Sequence, residues 1–547
     1  MPSISDTAYP RFKINPSAKE LNELYTPTVY ELAFARERAR QPLQRAGLLL
    51  LLKTFQRLGY FALCAEIPAP IVRHIFRCAA LVELPEQLQA YDASTARDRH
   101  TTLIREFLGV TAYGPAAREV VVETCLQAAR TRDDLPDLIN MAIEELIRQR
   151  FELPAFSTLL RIARTTRNTV NRRYQLRVCE LLDVDARQRL LAILSRPAGE
   201  PRSLWDQVKR EPKRSTVPQF KDFLDHLHWL QQQNVAASAF AEIPEAKIRQ
   251  FAAEARSLDL TSLNDMPERK RLTLAGALIL KQVARALDDV TDMFIRQVNK
   301  MHHKAEEALM QYQVAHADRT DALIAVLRDI TLAYKAEGSR EERLALIETL
   351  LEKDADQILA QCMAHEAVAG SNHLSFLPLF YSGRRSTLFL FLESTSLVST
   401  TQDRVLLDAI AFLLAHKGLH SKWLAASHAP LSGDDRGSLN PLDLSFVADK
   451  WWPLVTGNKD RGAVVERIDR RYFELCVFSN VMLELKSGDL CVPGSDQFSD
   501  YRKELVSKDE FERGVALYGE QAGIPVEGNT VYCPASWAVR SDCQTSQ

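Results

Sequence analysis

Residues 153–179 read LPAFSTLLRIARTTRNTVNRRYQLRVC and contain six arginines but no aspartate or glutamate. The whole chain is almost neutral, with a formal charge of −2, so this positive charge is a local concentration. Small or apolar residues recur in steps of four, three, four and four, which places them on one face of a helix. Pro154 and a hydroxyl cap at Ser157 or Thr158 predict where the helix begins. The residues of the inner face are Leu159, Ala163, Thr166, Val170 and Tyr174.

The outer side of this predicted helix carries the strongest functional signal. Arginine forks and asparagine amides have the donors that bind phosphates and read base edges in the major groove of DNA. We therefore predict DNA contact. The alternative is a solvated arginine-rich helix without a ligand, which is the ordinary role of a charged run. The candidate DNA-binding residues are Arg161, Arg164, Arg167, Asn168, Asn171, Arg172, Arg173 and Arg177.

The segment before this helix favours a helix-turn-helix arrangement. Residues 135–150 have a helical period, and the connector 151–156 is short, as in that motif. The residues predicted to face inward are Leu138, Ile139, Ala142, Leu146 and Ile147.

A second and weaker helix-turn-helix candidate lies at residues 71–84, where a helix follows two closely spaced prolines. Its predicted inner face is Ile71, Ile75, Cys78 and Ala79. Its candidate DNA-binding residues are Arg73, His74 and Arg77, a set that is commonplace on protein surfaces.

Length and composition bound the class of protein. A chain of 547 residues is too long for one core, so several domains are expected. Sparse glycine and long amphipathic runs predict a mainly α-helical fold. Nine scattered cysteines without a CxxC pair fit a reducing compartment. The N-terminus has no apolar signal region, and the run GLLLLL at residues 47–52 is too short to cross a bilayer, so we expect a cytoplasmic protein without a membrane partner.

Long helices follow a proline-rich stretch at residues 197–218. Residues 270–313 contain no proline, and residues 321–334 and 341–363 continue the helical pattern. Such helices are typical of a scaffold or dimer-forming layer, and a large helical core explains them equally well. A further helix is predicted at residues 461–485, with a glycine stop at its end.

The residues themselves predict neither a metal site nor an active site. The pair His302–His303 beside Glu306 and Glu307 does not match zinc-binding spacing, nor do His226 and His228. Phosphate-binding loops, nucleophile elbows and dinucleotide fingerprints are absent from the sequence. Strand cleavage by an unrecognised site is therefore the weakest of the alternatives.

Three parts of the chain, in order, resemble a known family. They are FKINPSAKELNELYTPTVYELAF from residue 12, FELPAFSTLLRIARTTRNTVNRR from residue 151, and LDLSFVADKWWPLV with RRYFELCVFSNVMLELKSGDLCVPGSDQFSDYRKEL from residues 442 and 470. They are similar to the large replicative transposases of class II transposons, the Tn-three family. The resemblance runs from about residue 11 to about residue 525.

The resemblance implies N-terminal helical domains that bind the terminal inverted repeats of a transposon, followed by a helical scaffold and dimerisation region. It also implies an RNase-H-like catalytic domain that uses three carboxylates and divalent metal ions such as Mg²⁺. In the family that domain lies beyond the position where this chain stops, so no catalytic residue is assigned. No cofactor is expected in this chain, and its status as an enzyme is uncertain.

The sequence therefore predicts the DNA-binding and scaffold half of such a transposase, truncated before its catalytic domain. The alternative is a helical protein-interaction scaffold, or an inhibitor of intact transposase, without DNA specificity of its own. The expected partners are double-stranded DNA and either a second copy of the chain, as a homodimer, or an intact transposase, in association with the bacterial nucleoid. The predicted division is residues 1–90, an N-terminal helical DNA-binding domain; 91–196, a second helical DNA-binding domain with the arginine-rich helix; 197–218, a linker; 219–425, a long-helix scaffold or dimerisation region; 426–528, a helical region leading to the missing catalytic domain; and 529–547, a divergent tail.

Overall fold

The structure is a computed structural model, and its residues are mainly helical. It describes residues 3–81, 85–195, 203–315, 317–352, 355–366, 372–401, 403–428, 440–522, 526–527 and 530–531. Within these ranges there are 24 α-helices, whereas the eight strands are only two or three residues long. The predicted fold class is confirmed, and the helix-turn-helix arrangement stays a prediction. Most of the predicted tail lies outside the described residues.

The chain forms two compact units, and neither is a continuous stretch of sequence. Unit 1 consists of Met1–Lys209 and Gln233–Lys281, and unit 2 of Arg210–Gln232 and Gln282–Gln547. The six-part division stays a prediction.

The N-terminal part of unit 1 packs around one apolar helix. All five leucines of residues 48–52 are fully buried, because neighbouring helices contact this helix from several sides. Capping boxes at Ser17 and Thr28 begin the first two helices. None of the helices in the described ranges has the length and apolar character that a membrane span needs. The helices are α1 (Ala18–Tyr25), α2 (Val29–Arg38), α3 (Pro42–Leu58), α4 (Ala69–Cys78), α5 (Pro85–Asp92) and α6 (Thr95–Leu108).

A second core of unit 1 lies between three helices that follow. Apolar residues at helical spacing, among them Val121, Ile139 and Leu159, are fully buried there. The first of these helices begins at a proline after Gly114. The helices from here to residue 208 are α7 (Pro115–Ala129), α8 (Leu135–Arg148), α9 (Phe156–Leu181), α10 (Val184–Ile193) and α11 (Leu204–Val208).

The segment predicted as a linker, residues 197–218, contributes to the core of unit 1. Trp205 of α11 is fully buried, and its indole Nε1 donates to the carbonyl of Leu258 at 3.1 Å. A buried indole needs such an acceptor, so this position is fixed by a partner that lies 53 residues later. Residues 203–209 therefore pack within unit 1, residues 210–218 belong to unit 2, and the linker assignment stays a prediction. The next helix, α12 (Val217–Gln232), belongs to unit 2.

The long helix predicted at residues 270–313 is confirmed and extends slightly at both ends. It contains Gly276, at which an added Cβ would lie 2.9 Å from Cζ of the buried Phe240. The glycine therefore allows close packing against the 3-10 turn Ala237–Phe240. The helices are α13 (Glu245–Ser257), α14 (Leu260–Asn264) and α15 (Glu268–Ala315).

Unit 2 has an aromatic core and only short strands. Phe294 of α15 stacks on Phe391 at 4.3 Å between ring centres. The helix predicted at residues 341–363 is present as two helices, α17 and α18. The helices are α16 (Ala317–Lys335), α17 (Arg340–Leu351), α18 (Ala355–Glu366), α19 (Pro378–Tyr381), α20 (Arg385–Ser394), α21 (Val405–Ala415), α22 (Trp452–Thr456), α23 (Arg470–Ser487) and α24 (Lys508–Ala522). The strands are β1 (Val398–Ser399), β2 (Trp423–Ala425), β3 (Ser427–His428), β4 (Asn440–Pro441), β5 (Arg467–Asp469), β6 (Leu490–Cys491), β7 (Val526–Glu527) and β8 (Thr530–Val531), paired antiparallel as β1 with β6, β2 with β5, β3 with β4 and β7 with β8.

The helix predicted at residues 461–485 begins nine residues later than expected. Strand β5 pairs with β2, and Asp469 then caps α23 by accepting from the amides of Arg471 and Tyr472. Val464 lies before the helix and is 90% exposed. The predicted end is confirmed, because Gly488 terminates α23 with a φ of 82°.

Candidate DNA-binding surface

The start of α9 is fixed by contacts from distant parts of unit 1. The amide of Leu153 donates to the carbonyl of Gly59 at 2.8 Å, and the buried hydroxyl of Tyr9 donates to the carbonyl of Pro154 at 2.9 Å. The helix begins at Phe156, and no side chain caps it. The predicted hydroxyl cap was therefore wrong: Ser157 and Thr158 lie inside the first turn, and tertiary hydrogen bonds set the direction of the chain instead.

The predicted inner face of α9 is confirmed. Leu159, Ala163 and Thr166 are buried, and Val170 and Tyr174 are partly buried, against α7 and α8. On α8, Ile147 is 57% exposed, so the prediction that it faces inward was wrong. At about 100° per residue it lies well outside the arc of Leu138, Ile139, Ala142 and Leu146; Ile143 is buried in its place.

The outer side of α9 carries a group of side chains that we call the basic face: Arg161, Arg164, Asn168, Arg172 and Arg173. The first four lie within an arc of about 80° at the helical period, whereas Arg173 lies about 100° further round the helix from Arg172. Arg164 is partly buried and the other four are exposed. Among the described residues, none of the four arginines has an acidic partner within salt-bridge distance. The guanidinium groups of Arg161, Arg164 and Arg172 are therefore available to a ligand, whereas Arg173 lies near Glu242, whose pKa is lowered by the hydrogen bond from Arg177 and by the charges of Arg177 and Arg173.

The other three candidate residues of α9 are occupied by contacts within unit 1. The side-chain amide of Asn171 donates to Oδ1 of Asp133 at 2.9 Å, and Arg167 Nη1 lies 4.0 Å from Oδ2 of the same carboxylate. Arg177 donates to Oε1 of Glu242 at 2.7 Å. The structure thus divides the predicted set into residues that face solvent and residues that hold α9 to its neighbours.

Asp133 is the centre of a polar cluster, which we call the Asp133 cluster, with Asn171, Arg167 and Lys247. The side chain of Lys247 is 0% exposed, and its Nζ donates to Asp133 Oδ1 at 2.5 Å and to the carbonyl of Arg132 at 3.1 Å. Burial opposes ionisation of Asp133, but the hydrogen bonds from Lys247 and Asn171 more than offset it and lower the pKa of this carboxyl. The cluster therefore joins the loop between α7 and α8 to both α9 and α13.

Two further arginines extend the positive surface around the basic face. Burial raises the pKa of Tyr113, and the charges of Arg118 and Arg161 act against that rise. Burial likewise raises the pKa of Tyr174, against the charges of Arg130 and Arg173. Arg118 and Arg130 are exposed near the two ends of α7. The sequence did not predict them, because α7 also carries glutamates and only its packing against α9 brings these arginines to the same region.

The second candidate region, on α4, is also divided. Nε2 of His74 lies 2.9 Å from Oγ1 of Thr26, and the ring is partly buried, so this histidine holds α4 to the loop between α1 and α2. Burial and the nearby Arg77 lower the pKa of His74. Arg73 and Arg77 are exposed.

Of the histidines that prompted a check for metal sites, His302 is held by two protein groups, whereas neither ring nitrogen of His226 has a hydrogen-bond partner among the described residues. Nδ1 of His302 lies 2.9 Å from Nε2 of His373, and its Nε2 lies 2.9 Å from Oγ of Ser479. Burial lowers the pKa of His302 to about 4. His226 is buried and stacks on Trp229. In the described ranges, no three or more His, Cys, Asp or Glu side chains are grouped so that they could hold a metal ion.

Comparison with known proteins finds relatives that are named as transposases. Residues 1–166, which end within α9, match a family described as a domain of unknown function (DUF4158). The transposase for transposon gamma-delta of Escherichia coli (strain K12) is 24% identical over 529 residues, which cover 95% of this chain and 50% of that protein.

Two further relatives are also named as transposases and match a similar share of this chain. The transposase for transposon Tn3926 of Escherichia coli is 25% identical over 91% of this chain and 48% of its own length. The transposase for transposon Tn501 of Pseudomonas aeruginosa is 23% identical over 92% of this chain and 49% of its own length. The resemblance is thus confirmed: transposases of the Tn-three family are homologous to about nine-tenths of the chain. The chain spans about half the length of these relatives.

Proposed function

We propose that unit 1 binds double-stranded DNA at the terminal inverted repeats of a transposon through the basic face of α9. The observation that carries this proposal is a group of three arginines on one side of a helix, Arg161, Arg164 and Arg172, that have no acidic partner within salt-bridge distance among the described residues. A helix in an ordinary solvated surface has charges of both signs, and their pairing neutralises the surface. Here the nearby carboxylates of Asp133 and Glu242 instead pair with Arg167 and Arg177.

The dimensions of the basic face suit a DNA groove. Arg161 and Arg172 are eleven residues apart, which is about 16 Å along a helix, while the major groove is about 12 Å wide. The guanidinium groups at the two ends can therefore reach phosphates while Asn168, between them, faces the groove floor. Arg118 and Arg130 of α7, together with Arg73 and Arg77 of α4, would add phosphate contacts, which position a protein without reading sequence.

Fluorescence anisotropy of the full chain tests this function. The probe is a duplex of the inverted-repeat end of the transposon that encodes the chain, and a scrambled duplex of the same composition is the control. We expect tighter binding to the end than to the scrambled duplex, with affinity that falls steeply as salt rises. Equal and weak binding to both duplexes at low salt would contradict the proposal.

Catalysis is not part of this proposal. Relatives named as transposases suggest a role in transposition, for which the resemblance implies metal-dependent strand transfer. The described residues offer no carboxylate group suited to hold such an ion, so we derive no chemical step through a metal. The role proposed for this chain is to bind the DNA end.

A second function, self-association, is favoured by the helices α16, α17 and α18. Leu327 and Tyr334 are 64% and 67% exposed, and apolar exposure of this kind is typical of interaction surfaces. We expect a dimer in sedimentation velocity experiments, and we expect Leu327→Glu with Leu346→Glu to shift it toward monomer. A wild-type chain that is monomeric at micromolar concentration would refute self-association as a function. The exposed apolar residues are Ile324, Leu327, Leu332, Tyr334, Leu344, Leu346, Leu350, Leu359 and Met363.

A further inference from the structure

We propose that Lys247, through the Asp133 cluster, is a positioning residue that sets the orientation of the basic face for DNA. This inference rests on the proposed function and extends it, because Lys247 lies on α13, outside the predicted DNA-binding domains. Residues 114 positions apart in the sequence meet in this cluster.

The burial of Lys247 is the first step of the argument. A lysine ammonium is strongly hydrated, and a fully buried one persists only where its charge is paired and its donors are used. Both conditions hold here: Nζ donates to the carboxylate of Asp133 and to the carbonyl of Arg132, and it lies 5.7 Å from the centre of the Phe251 ring. The ammonium therefore fixes the loop between α7 and α8 at one place.

The geometry of Asp133 is the second step. Its Oδ1 accepts from Lys247 and from Asn171 of α9, and Arg167 of α9 also donates to its backbone carbonyl at 3.4 Å. Asn171 and Arg167 lie in the middle of α9, between the residues of the basic face. The carboxylate, once held by Lys247, therefore fixes the rotation of α9 about its axis, which decides where the basic face points.

A second contact from the same segment supports this role. Glu242, which precedes α13, accepts from Arg177 near the end of α9, and the side-chain amide of Gln250 donates to the carbonyl of Thr131 at 3.3 Å. The segment of residues 237–257 thus contacts α9 and the preceding loop at several points. Reading base edges needs exact placement, whereas attraction to phosphates does not. A misplaced α9 would therefore lose sequence preference before it loses non-specific affinity.

The test compares Lys247→Met with Arg249→Met, which removes a positive charge from an exposed side chain on the same helix. Hydrogen exchange of the DNA-free chain is measured first. We expect faster exchange in α9 for Lys247→Met, no change in α3, and wild-type exchange throughout for Arg249→Met. We also expect the ratio of affinities for the inverted-repeat end and the scrambled duplex to fall roughly tenfold or more, the size of one lost base contact, while affinity for the scrambled duplex stays within about twofold.

The outcomes separate this inference from the proposed function. Unchanged exchange in α9 together with an unchanged affinity ratio would overturn the role of Lys247. Faster exchange in α9 in a protein whose wild type shows no preference for the end would support the positioning of α9 and refute the DNA function. If Lys247→Met unfolds unit 1, the test uses Asn171→Ala instead, which removes only a partly exposed amide. We expect this variant also to lower the ratio of affinities for the inverted-repeat end and the scrambled duplex. An unchanged ratio in Asn171→Ala would refute the inference.

Discussion

The basic face makes a quantitative prediction about salt. Arg164 and Arg172 have no acidic partner in the described ranges, so each is free to contact a phosphate. Each lost phosphate contact lowers the slope of log affinity against log salt by about 0.9, so Arg164→Ala with Arg172→Ala should lower it by about 1.8. Between 50 and 200 mM salt, the wild type would therefore lose roughly 12-fold more affinity than the double variant.

A matched control separates a specific surface from general charge. Arg187 and Arg249 are also exposed arginines of unit 1, but Glu268 and Glu245 pair with them. Replacing both by alanine changes the net charge by the same amount, and we expect the salt slope to change by less than about 0.5. Anisotropy titrations at five salt concentrations give both slopes. An equal change of the salt slope in the two double variants, or an unchanged slope in Arg164→Ala with Arg172→Ala, would refute the assignment of the basic face.

Two predictions concern the packing and ionisation of the fold. Gly276→Ala should destabilise unit 1 by about 1–3 kcal/mol despite the better helix propensity of alanine, because its Cβ would lie 2.9 Å from Phe240. Urea unfolding measures this loss of stability. The control is Gly514→Ala, which should be neutral or stabilising because its Cβ meets nothing within 4 Å. Burial lowers the pKa of His100 to about 4 from an ordinary value near 6.5. Because the unfolded chain then binds a proton more readily than the folded protein, the stabilisation is complete above pH 6.5 and is lost as the pH falls toward 4. The free energy of unfolding falls by at most about 3 kcal/mol. Urea midpoints measured from pH 7.5 to 4.5 should therefore fall on acidification, and less so in His100→Gln; an equal fall in both proteins would contradict this source of the pH dependence.

Periodicity predicted those features of the fold that depend on local sequence. The inner face of α9 and the uninterrupted length of α15 both follow from apolar spacing and from the position of proline. The start of α23 was missed, because strand β5 forms only by pairing with residues more than forty positions earlier. Pairing of that kind leaves no local period.

The candidate site was predictable to the extent that charge is local. A run of arginines without acids identified α9, but the run could not separate Arg172, which faces solvent, from Arg177, whose partner Glu242 lies 65 residues later. Lys247 was missed for the same reason, since a lysine on an amphipathic helix is ordinarily exposed. Its burial depends on Asp133, and no spacing rule connects the two.

The hydrogen bond from Tyr9 to Pro154 has a consequence for the time at which the protein forms. These residues are 145 positions apart, so at synthesis rates of 5–20 residues per second Tyr9 is synthesised roughly 7 to 30 s before its acceptor. The ring also stacks on Tyr60 and packs edge-on against Phe156, the first residue of α9. The hydroxyl of Tyr9 therefore lacks its native acceptor during that interval. Helix α9 can take its final direction only after Tyr9 has contacted Pro154.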